Sequence, residues 1–249
     1  MTNKEREDQI LLMTARDATI KISQLSSKLG VSITTVRKDV QSLIEQGVIF
    51  KLKGHIYPKY HPLIIERQLF EQDKKIRIAE AAASHVKSND IIMLSAGTTV
   101  AAIPRFLIGR QNVKIITHST LVLPNLRVAN NIELTLLGGE FRGSSELTGG
   151  QSTMQQLSQY YAKYSFIGSD GFSLNYGNTS HLEEACSIAK MMFNQSEKRI
   201  LCTDSSKYNL KGFIKVAPLD TFDMIITDTD LDKEAIRLIK ETNIELVLV

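Results

Sequence analysis

Arg37 and Lys38 stand beside Thr34, Thr35 and Gln41 in a stretch whose apolar residues, Ile33, Val36, Val40, Leu43 and Ile44, recur at offsets of 0, 3, 7, 10 and 11. That spacing predicts a helix over 33–46 with its apolar stripe turned inward and the polar set, with Glu45, on the other face. Arginine grips a guanine through two hydrogen bonds and lysine meets a phosphate as a point charge, so the set suits duplex DNA. A solvated helix face would carry the same residue types, and the flanking elements decide between the two. A very short helix with Leu25 and Leu29 inward precedes it, with Ser23 expected as its N-cap and Gly30 as its stop. Ser32 is the expected N-cap of the Arg37 helix and Gly47 its end. Residues 48–52 read as a strand, Lys53-Gly54 as a turn and His55-Ile56-Tyr57 as the returning strand. Two helices joined by a tight turn and followed by a hairpin make a winged helix-turn-helix. Its expected DNA contacts are Ser32, Thr34, Thr35, Arg37, Lys38 and Gln41, with Lys51 and Lys53 in the hairpin.

A second set of polar clusters follows apolar runs further along. Ser95-Ala96-Gly97-Thr98-Thr99 lies between a short strand at 91–94 and a helix at 98–108. Glycine lets backbone approach an anion, and a helix start offers unpaired N–H groups, though any strand-to-helix turn uses the same residues. Thr117-His118-Ser119 repeats this arrangement, with Ser119 readable as a plain cap and His118 as an internally bonded histidine. Gly138 and Gly139 follow Leu136-Leu137 and make room for a turn. Asp170, in Gly168-Ser169-Asp170-Gly171, is an acid at a strand's carboxyl end, which faces the ligand crevice in an open α/β sheet. Glu183-Glu184-Ala185 starts a helix, where a carboxylate favours the dipole even without function. Lys207, in Asp204-Ser205-Ser206-Lys207-Tyr208, either binds phosphate as a point charge or is a solvated loop lysine. If the clusters converge, their amides, hydroxyls, carboxylate and lysine suit a small phosphorylated sugar or polyol.

The elements that must position these groups alternate. Strands are expected at 91–94, 113–117, 132–137, 164–167, 200–203, 224–227 and 244–249, with helices at 76–86, 98–108, 121–128, 181–196 and 232–242 between them. Short apolar strands alternating with helices predict an α/β domain with a mainly parallel sheet covered on both faces. The expected division is a winged helix-turn-helix over 1–57, a linker over 58–73 and the larger α/β domain over 74–249. Charge follows the same division. Residues 1–60 hold ten Lys/Arg against six Asp/Glu, whereas the remainder is nearly balanced, so the excess positive charge belongs to the first module. The two cysteines, Cys186 and Cys202, form no CxxC pair and the five histidines are scattered, so neither a metal nor another cofactor is expected. No apolar run approaches the roughly 18 residues of a membrane span, and the expected setting is the cytoplasm.

The run Leu25-Ser26-Ser27-Lys28-Leu29-Gly30-Val31-Ser32-Ile33-Thr34-Thr35-Val36-Arg37-Lys38-Asp39-Val40 resembles the signature of the DeoR family of bacterial regulators, through Leu43 and Gly47. The family's wing ends in His-Gly-Gly-Ala where this chain has Lys53-Gly54-His55-Ile56. The resemblance extends to the second domain. Ser95 to Thr99 is similar to Asp-x-Gly-Thr-Thr with Ser95 in place of Asp, and Thr117-His118-Ser119 to Thr-Asn-Ser. Leu137-Gly138-Gly139 is similar to Leu-Gly-Gly, Glu184-Ala185 with Lys190 and Met191 to the family's Glu-Ala segment, and Asp204 to Tyr208 to Asp-x-Ser-Lys-[Phe/Tyr]. The resemblance implies a second domain with a fold like that of ribose-5-phosphate isomerase. It also implies an effector site formed by Ser95, Gly97, Thr98, Thr99, Thr117, Ser119, Gly138, Gly139, Asp170, Glu184 and Lys207.

The expected function is therefore a DNA-binding transcriptional regulator, a repressor of a sugar or polyol operon whose operator affinity answers to a sugar phosphate. One helix-turn-helix makes few base contacts, so a homodimer or tetramer on repeated half-sites of double-stranded DNA is expected. Two other classes fit the same residues: a sugar-phosphate isomerase with an accessory DNA-binding domain, and a DNA-binding protein whose second domain only oligomerises.

Overall fold

The computed structural model of the chain describes residues 1–249 except Ala18, Lys53, Gly54, Lys59, Val128 and Asn130. They fall into two units, Met1–Phe70 with Gly143–Ser145 and Glu71–Arg142 with Glu146–Val249.

The first unit opens on a reciprocal cap. Thr2 Oγ1 accepts the Glu5 N–H at 3.2 Å and the Glu5 carboxylate accepts the Thr2 N–H at 2.7 Å, starting helix α1 (Asn3–Arg16). Helix α2 (Ile22–Leu29) begins one residue before the expected Ser23 cap, because the Gln24 side chain accepts the Lys21 N–H at 2.8 Å and leaves Ser23 inside the helix. Gly30 stops it at φ 66°. Ser32 caps α3 (Ile33–Glu45) as expected, accepting the Thr35 N–H at 3.1 Å. Strands β1 (Ile49–Leu52) and β2 (His55–Pro58) pair antiparallel, with Phe50 opposite Tyr57. The Lys53-Gly54 turn lies outside the described residues.

Val36, Val40 and Leu43 of α3 bury against Ile10, Leu25, Ile49 and Ile56, as the helical spacing predicts. Ile33 does not join them and remains 45% exposed. Helical side chains lean toward the amino end, so a residue in the first turn projects past the packed segment. The stretch 58–73, expected as a linker, contains helix α4 (Pro62–Leu69), capped by His61, whose Ile65 packs into the core of the first unit. The polar residues around it concealed that anchor.

An ion pair joins α1 to α3. Arg6 on α1 donates Nε–H to Asp39 Oδ2 at 2.5 Å and Nη2–H to Oδ1 at 2.8 Å, a two-pronged grip on an acid that is nearly fully buried.

In the second unit the elements are α5 (Gln72–Ser84), β3 (Ile91–Leu94), β4 (Val113–Thr117), α6 (Leu123–Leu126), β5 (Ile132–Leu136), β6 (Glu140–Arg142), β7 (Leu147–Gly149), α7 (Gln151–Leu157) and β8 (Ala162–Ile167). They continue with β9 (Gly171–Ser173), β10 (Gly177–Ser180), α8 (Glu183–Asn194), β11 (Ser196–Cys202), β12 (Ile214–Ala217), β13 (Met224–Thr227), α9 (Lys233–Lys240) and β14 (Glu245–Leu248). Seven strands form one sheet in the order β14-β13-β11-β8-β3-β4-β5, with every neighbouring pair parallel. Continuous apolar strands such as Ile92-Met93-Leu94 are buried on both faces, which is why a parallel sheet suits them. The order runs outward from β3 through β4 and β5, then returns to β8 on the other side and runs out to β14. The strand order thus reverses between β3 and β8.

Two small antiparallel sheets, β6-β7 and β12-β10-β9, flank the large one. Strands β7, β9 and β10, of three or four residues, carry Gly, Asn, Thr and Ser rather than an apolar alternation, so no sequence pattern marks them. The helix expected over 98–108 is a tighter turn of 3₁₀ type, Val100–Phe106, with Pro104 inside it. Proline cannot donate the backbone bond an α-helix needs there.

Replacing Asp39 by Ala should destabilise the first unit, because it removes the acid that holds both prongs of the Arg6 guanidinium. Hydrogen exchange of α1 and α3 amides checks this, with Arg6→Met/Asp39→Leu expected to recover much of the loss. Unchanged protection in Asp39→Ala would show that the pair is a surface ornament.

Candidate functional site

On α3, Thr34, Arg37, Lys38 and Gln41 are exposed, as is Ser32 at its cap. Ser32 and Thr35 share a hydroxyl contact at 2.9 Å, and Gln41 donates to Glu45 at 2.9 Å, so these three are partly occupied by the helix itself. The side chains of Arg37 and Lys38 make no ion pair or hydrogen bond among the described residues, while the adjacent Asp39 is consumed by Arg6. The acid that would neutralise them is turned inward, leaving two cations at the start of an exposed helix. Lys51 on β1 is exposed beside a stacked Phe50–Tyr57 pair with ring centroids 5.5 Å apart. Lys53, the other wing lysine, lies outside the described residues.

The strand-end clusters of the second unit lie at one edge of the seven-stranded sheet. Residues 95–99 follow β3, 117–119 complete β4, 138–139 follow β5, 168–171 follow β8 and 204–207 follow β11. Because every strand points the same way, these are all carboxyl ends. Ser95 stitches the reversal point: its N–H donates to Phe166 O at 3.0 Å, and its Oγ accepts the Gly168 N–H at 3.0 Å. It is buried and internally bonded, so its place in the expected site is that of a strut.

The next strut is His118, fully buried. Its Nε2 accepts the Ala96 N–H at 3.0 Å, which puts the ring proton on Nδ1, donating to Thr148 O at 3.0 Å. Burial holds its pKa down to about 4, against the carbonyl of Thr148, which favours the charged form. Thr117 donates to Leu94 O at 2.7 Å and accepts the Ser119 N–H at 3.1 Å, while the Ser119 hydroxyl donates to Glu146 O at 3.3 Å. The polar side chains of 117–119 are therefore spent within the fold.

Gly97 and Gly139 separate two uses of glycine. A Cβ on Gly139 would stand 2.1 Å from Thr153 Oγ1 and 2.4 Å from Gly149 O, so packing of the hairpin demands glycine there. A Cβ on Gly97, at φ 140°, would meet nothing within 4 Å. Its glycine serves a backbone conformation that faces open space. Ala96 N–H is taken by His118, but the N–H groups of Gly97, Thr99 and Val100 make no hydrogen bond among the described residues. Gly138 is bracketed by Gln156 and Thr153, with its N–H donating to Gln156 Oε1 at 3.0 Å.

Asp170 is half-buried, and its Oδ2 accepts from His181 N–H at 2.8 Å and Ser180 Oγ at 3.1 Å. Glu184, in the first turn of α8, is paired to Arg142 of β6, and its own backbone N–H and that arginine hold its pKa below the ordinary value. Lys207 ends a one-turn 3₁₀ segment, Ser205–Lys207, capped by Asp204. That turn is held from the neighbouring strand by Asp228, whose carboxylate accepts the Ser205 N–H at 2.6 Å and hydroxyl at 2.7 Å. The structure thus brings Ser95, Gly97, Thr98, Thr99, Gly168 and Asp170 to the reversal point, with Lys207 further along the same edge and Glu184 on the flanking helix.

Sequence reasoning missed Asp228, Lys74 and Asn178. Asp228 directly follows β13, and the strand-end rule that singled out Asp170 would have found it. Asn178 is fully buried on β10 and donates to Gly168 O at 3.2 Å, while its Oδ1 has no partner among the described residues. A cavity of about 500 Å³ lies at the opposite, amino edge of the sheet, lined by Asp90, Tyr161, Lys163 and Gln195 among others. None of the expected site residues lines it.

The neutral His118 stabilises the second unit fully above about pH 6.5, and that contribution is lost as pH falls toward about 4, because the unfolded chain takes up the proton first. Denaturant midpoints of this unit should fall across that interval, and His118→Gln should flatten the dependence. Equal slopes in both proteins would contradict the assignment.

Two family models match the chain: the DeoR-like helix-turn-helix domain over residues 6–56 and the DeoR C terminal sensor domain over residues 71–229. The HTH-type transcriptional repressor GlcR of Bacillus subtilis is 30% identical, covering 100% of this chain and 97% of its own length. The lactose phosphotransferase system repressor of Lactococcus lactis is 30% identical over 94% of each chain. The HTH-type transcriptional regulator IolR of B. subtilis is 26% identical over 100% of this chain and 98% of its own. Among solved structures, ribose 5-phosphate isomerase A from Methanocaldococcus jannaschii is similar over 55% of both chains, at 19% identity and a TM-score of 0.41. No helix among the described residues is long and apolar enough to cross a membrane.

Proposed function

The chain belongs to the DeoR family of transcriptional regulators, and from that premise we propose that it is a repressor of a sugar or polyol operon, released or retained on its operator by a phosphorylated sugar. The observation that carries this reading is the gathering of anion-binding groups at one carboxyl edge of a parallel sheet beside its strand reversal. There, the N–H groups of Gly97, Thr99 and Val100, which make no hydrogen bond among the described residues, suit a phosphate, and Asp170 suits sugar hydroxyls. Lys207 supplies charge from the next turns along the edge. The repressor names of the relatives support the direction of regulation. On the DNA side, Arg37 reads a base and Lys38 and Lys51 meet phosphates, with two or more copies spanning repeated half-sites.

The isomerase alternative lacks support in the crevice. Asp170 is held by two donors on Oδ2, and no second carboxylate is bonded to it among the described residues. Proton abstraction beside a carbonyl calls for a positioned base and acid.

Arg37→Ala should relax operator specificity and weaken binding by about 1–3 kcal/mol per site. A gel-shift titration in which its affinity equals wild type would remove α3 from the major groove.

Lys207→Ala and Asp170→Ala should keep operator binding and lose the response to the effector, since an effector shifts DNA affinity only through its own differential binding. Calorimetric binding of a sugar-phosphate panel, alongside operator affinity with and without the best ligand, decides this. A wild-type response in both variants would overturn the site.

A further inference from the structure

Lys74, in the first turn of α5, plays no part in the sequence reading, yet three carboxylates and a hydroxyl surround its ammonium. Its Nζ lies 3.0 Å from Asp230 Oδ2, 3.3 Å from Asp228 Oδ1, 3.4 Å from Glu71 Oε2 and 3.2 Å from Ser205 Oγ. Asp228 is fully buried, and it holds both the N–H and the hydroxyl of Ser205. This geometry follows from the sheet. Strands β11 and β13 are parallel neighbours, so Asp228, one residue past β13, stands beside Ser205, three residues past β11. Helix α5 packs on both strands and delivers Lys74 to the same corner.

A carboxylate that is out of water needs a compensating charge or it is lost to protonation or distortion. Lys74 is that charge. Desolvation opposes its ammonium form, but Asp230, Asp228 and Glu71 outweigh it and hold its pKa above the ordinary lysine value. Asp228 likewise stays below its ordinary value despite desolvation, through the N–H and hydroxyl of Ser205, the Asp230 backbone N–H and the Lys74 ammonium. The turn that Asp228 fixes is Ser205–Lys207. Three carboxylates around one ammonium would repel an incoming anion far more strongly if that ammonium were removed.

We propose that Lys74, acting through Asp228, is a positioning residue for the Ser205–Lys207 turn, and that it sets the preference of the site for a phosphate ester over an uncharged sugar. The inference rests on the reading of Lys207 as a phosphate contact. Lys74 touches no ligand itself. It fixes the turn and cancels part of the negative charge behind it, so its removal penalises a ligand in proportion to the ligand's charge.

The test uses the full-length protein with glucose 6-phosphate, ribose 5-phosphate, inorganic phosphate and the two unphosphorylated sugars as probes, titrated calorimetrically. Lys74→Met should weaken the phosphorylated probes by about tenfold. It should weaken the unphosphorylated sugars little, narrowing the ratio between the two classes and flattening the salt dependence of phosphate-ester binding. Lys74→Arg, which keeps the charge, should restore the ratio. A Lys74→Met protein that merely folded poorly would lose both classes of probe together, and that result overturns the proposal. So does an unchanged ratio in Lys74→Met when Lys207→Ala abolishes phosphate-ester binding, which leaves the effector reading intact. If Lys207→Ala binds every probe as wild type does, the effector reading itself fails and the proposal with it.

Discussion

The reversal of strand order between β3 and β8 is the constraint on which the second unit depends. Seven parallel strands place all their carboxyl ends on one edge, and in open α/β sheets ligands bind where the connections depart in opposite directions. Ser95 closes the backbone seam across that point by bonding Phe166 O and Gly168 N–H, and His118 fixes the loop from the β4 side through Ala96. The loops after β3 and β8 are therefore set before any ligand arrives. Preorganisation of this kind reduces the ordering cost of binding.

A common logic runs through both units. Buried charges and polar groups are satisfied within each unit, beside or behind the groups of functional type. Arg6 absorbs Asp39, and Arg37 and Lys38 keep their charge for an outside partner. His118 stays neutral and takes the Ala96 N–H, while the N–H groups of Gly97, Thr99 and Val100 make no hydrogen bond among the described residues. Lys74 and Asp228 absorb one another behind the turn that carries Lys207. In each case a two-sided internal bond costs little net free energy once made, but breaking one side leaves a desolvated group exposed to its full penalty.

Much of this was legible in the sequence. The α3 spacing, the Ser32 cap and Gly30 stop, and the seven parallel strands follow from periodicity and from apolar runs bounded by turn residues. What escaped has physical reasons. Strands β9 and β10 are held by backbone pairing and by glycines at close approach, such as Gly171, whose Cβ would stand 2.1 Å from Leu210 O, so no apolar alternation announces them. Helix α4 hides because one buried face among polar residues reads as a connector. Within the site, residue type alone did not separate struts from contacts. Ser95, Thr117 and Ser119 carry hydroxyls fit for a ligand, yet each is bonded to backbone supplied by a distant segment. Lys74 and Asp228 lie 154 residues apart in sequence, and only the sheet brings them together.

The effector reading places a sugar phosphate at the carboxyl edge of the sheet. Hydrogen exchange of the full-length protein, with and without a sugar phosphate that alters operator affinity, tests it directly. Slowed exchange is expected at the amides of 97–100 and 205–207. Protection confined to the amino-edge cavity around Asp90, Tyr161 and Lys163, with those amides unchanged, would contradict it.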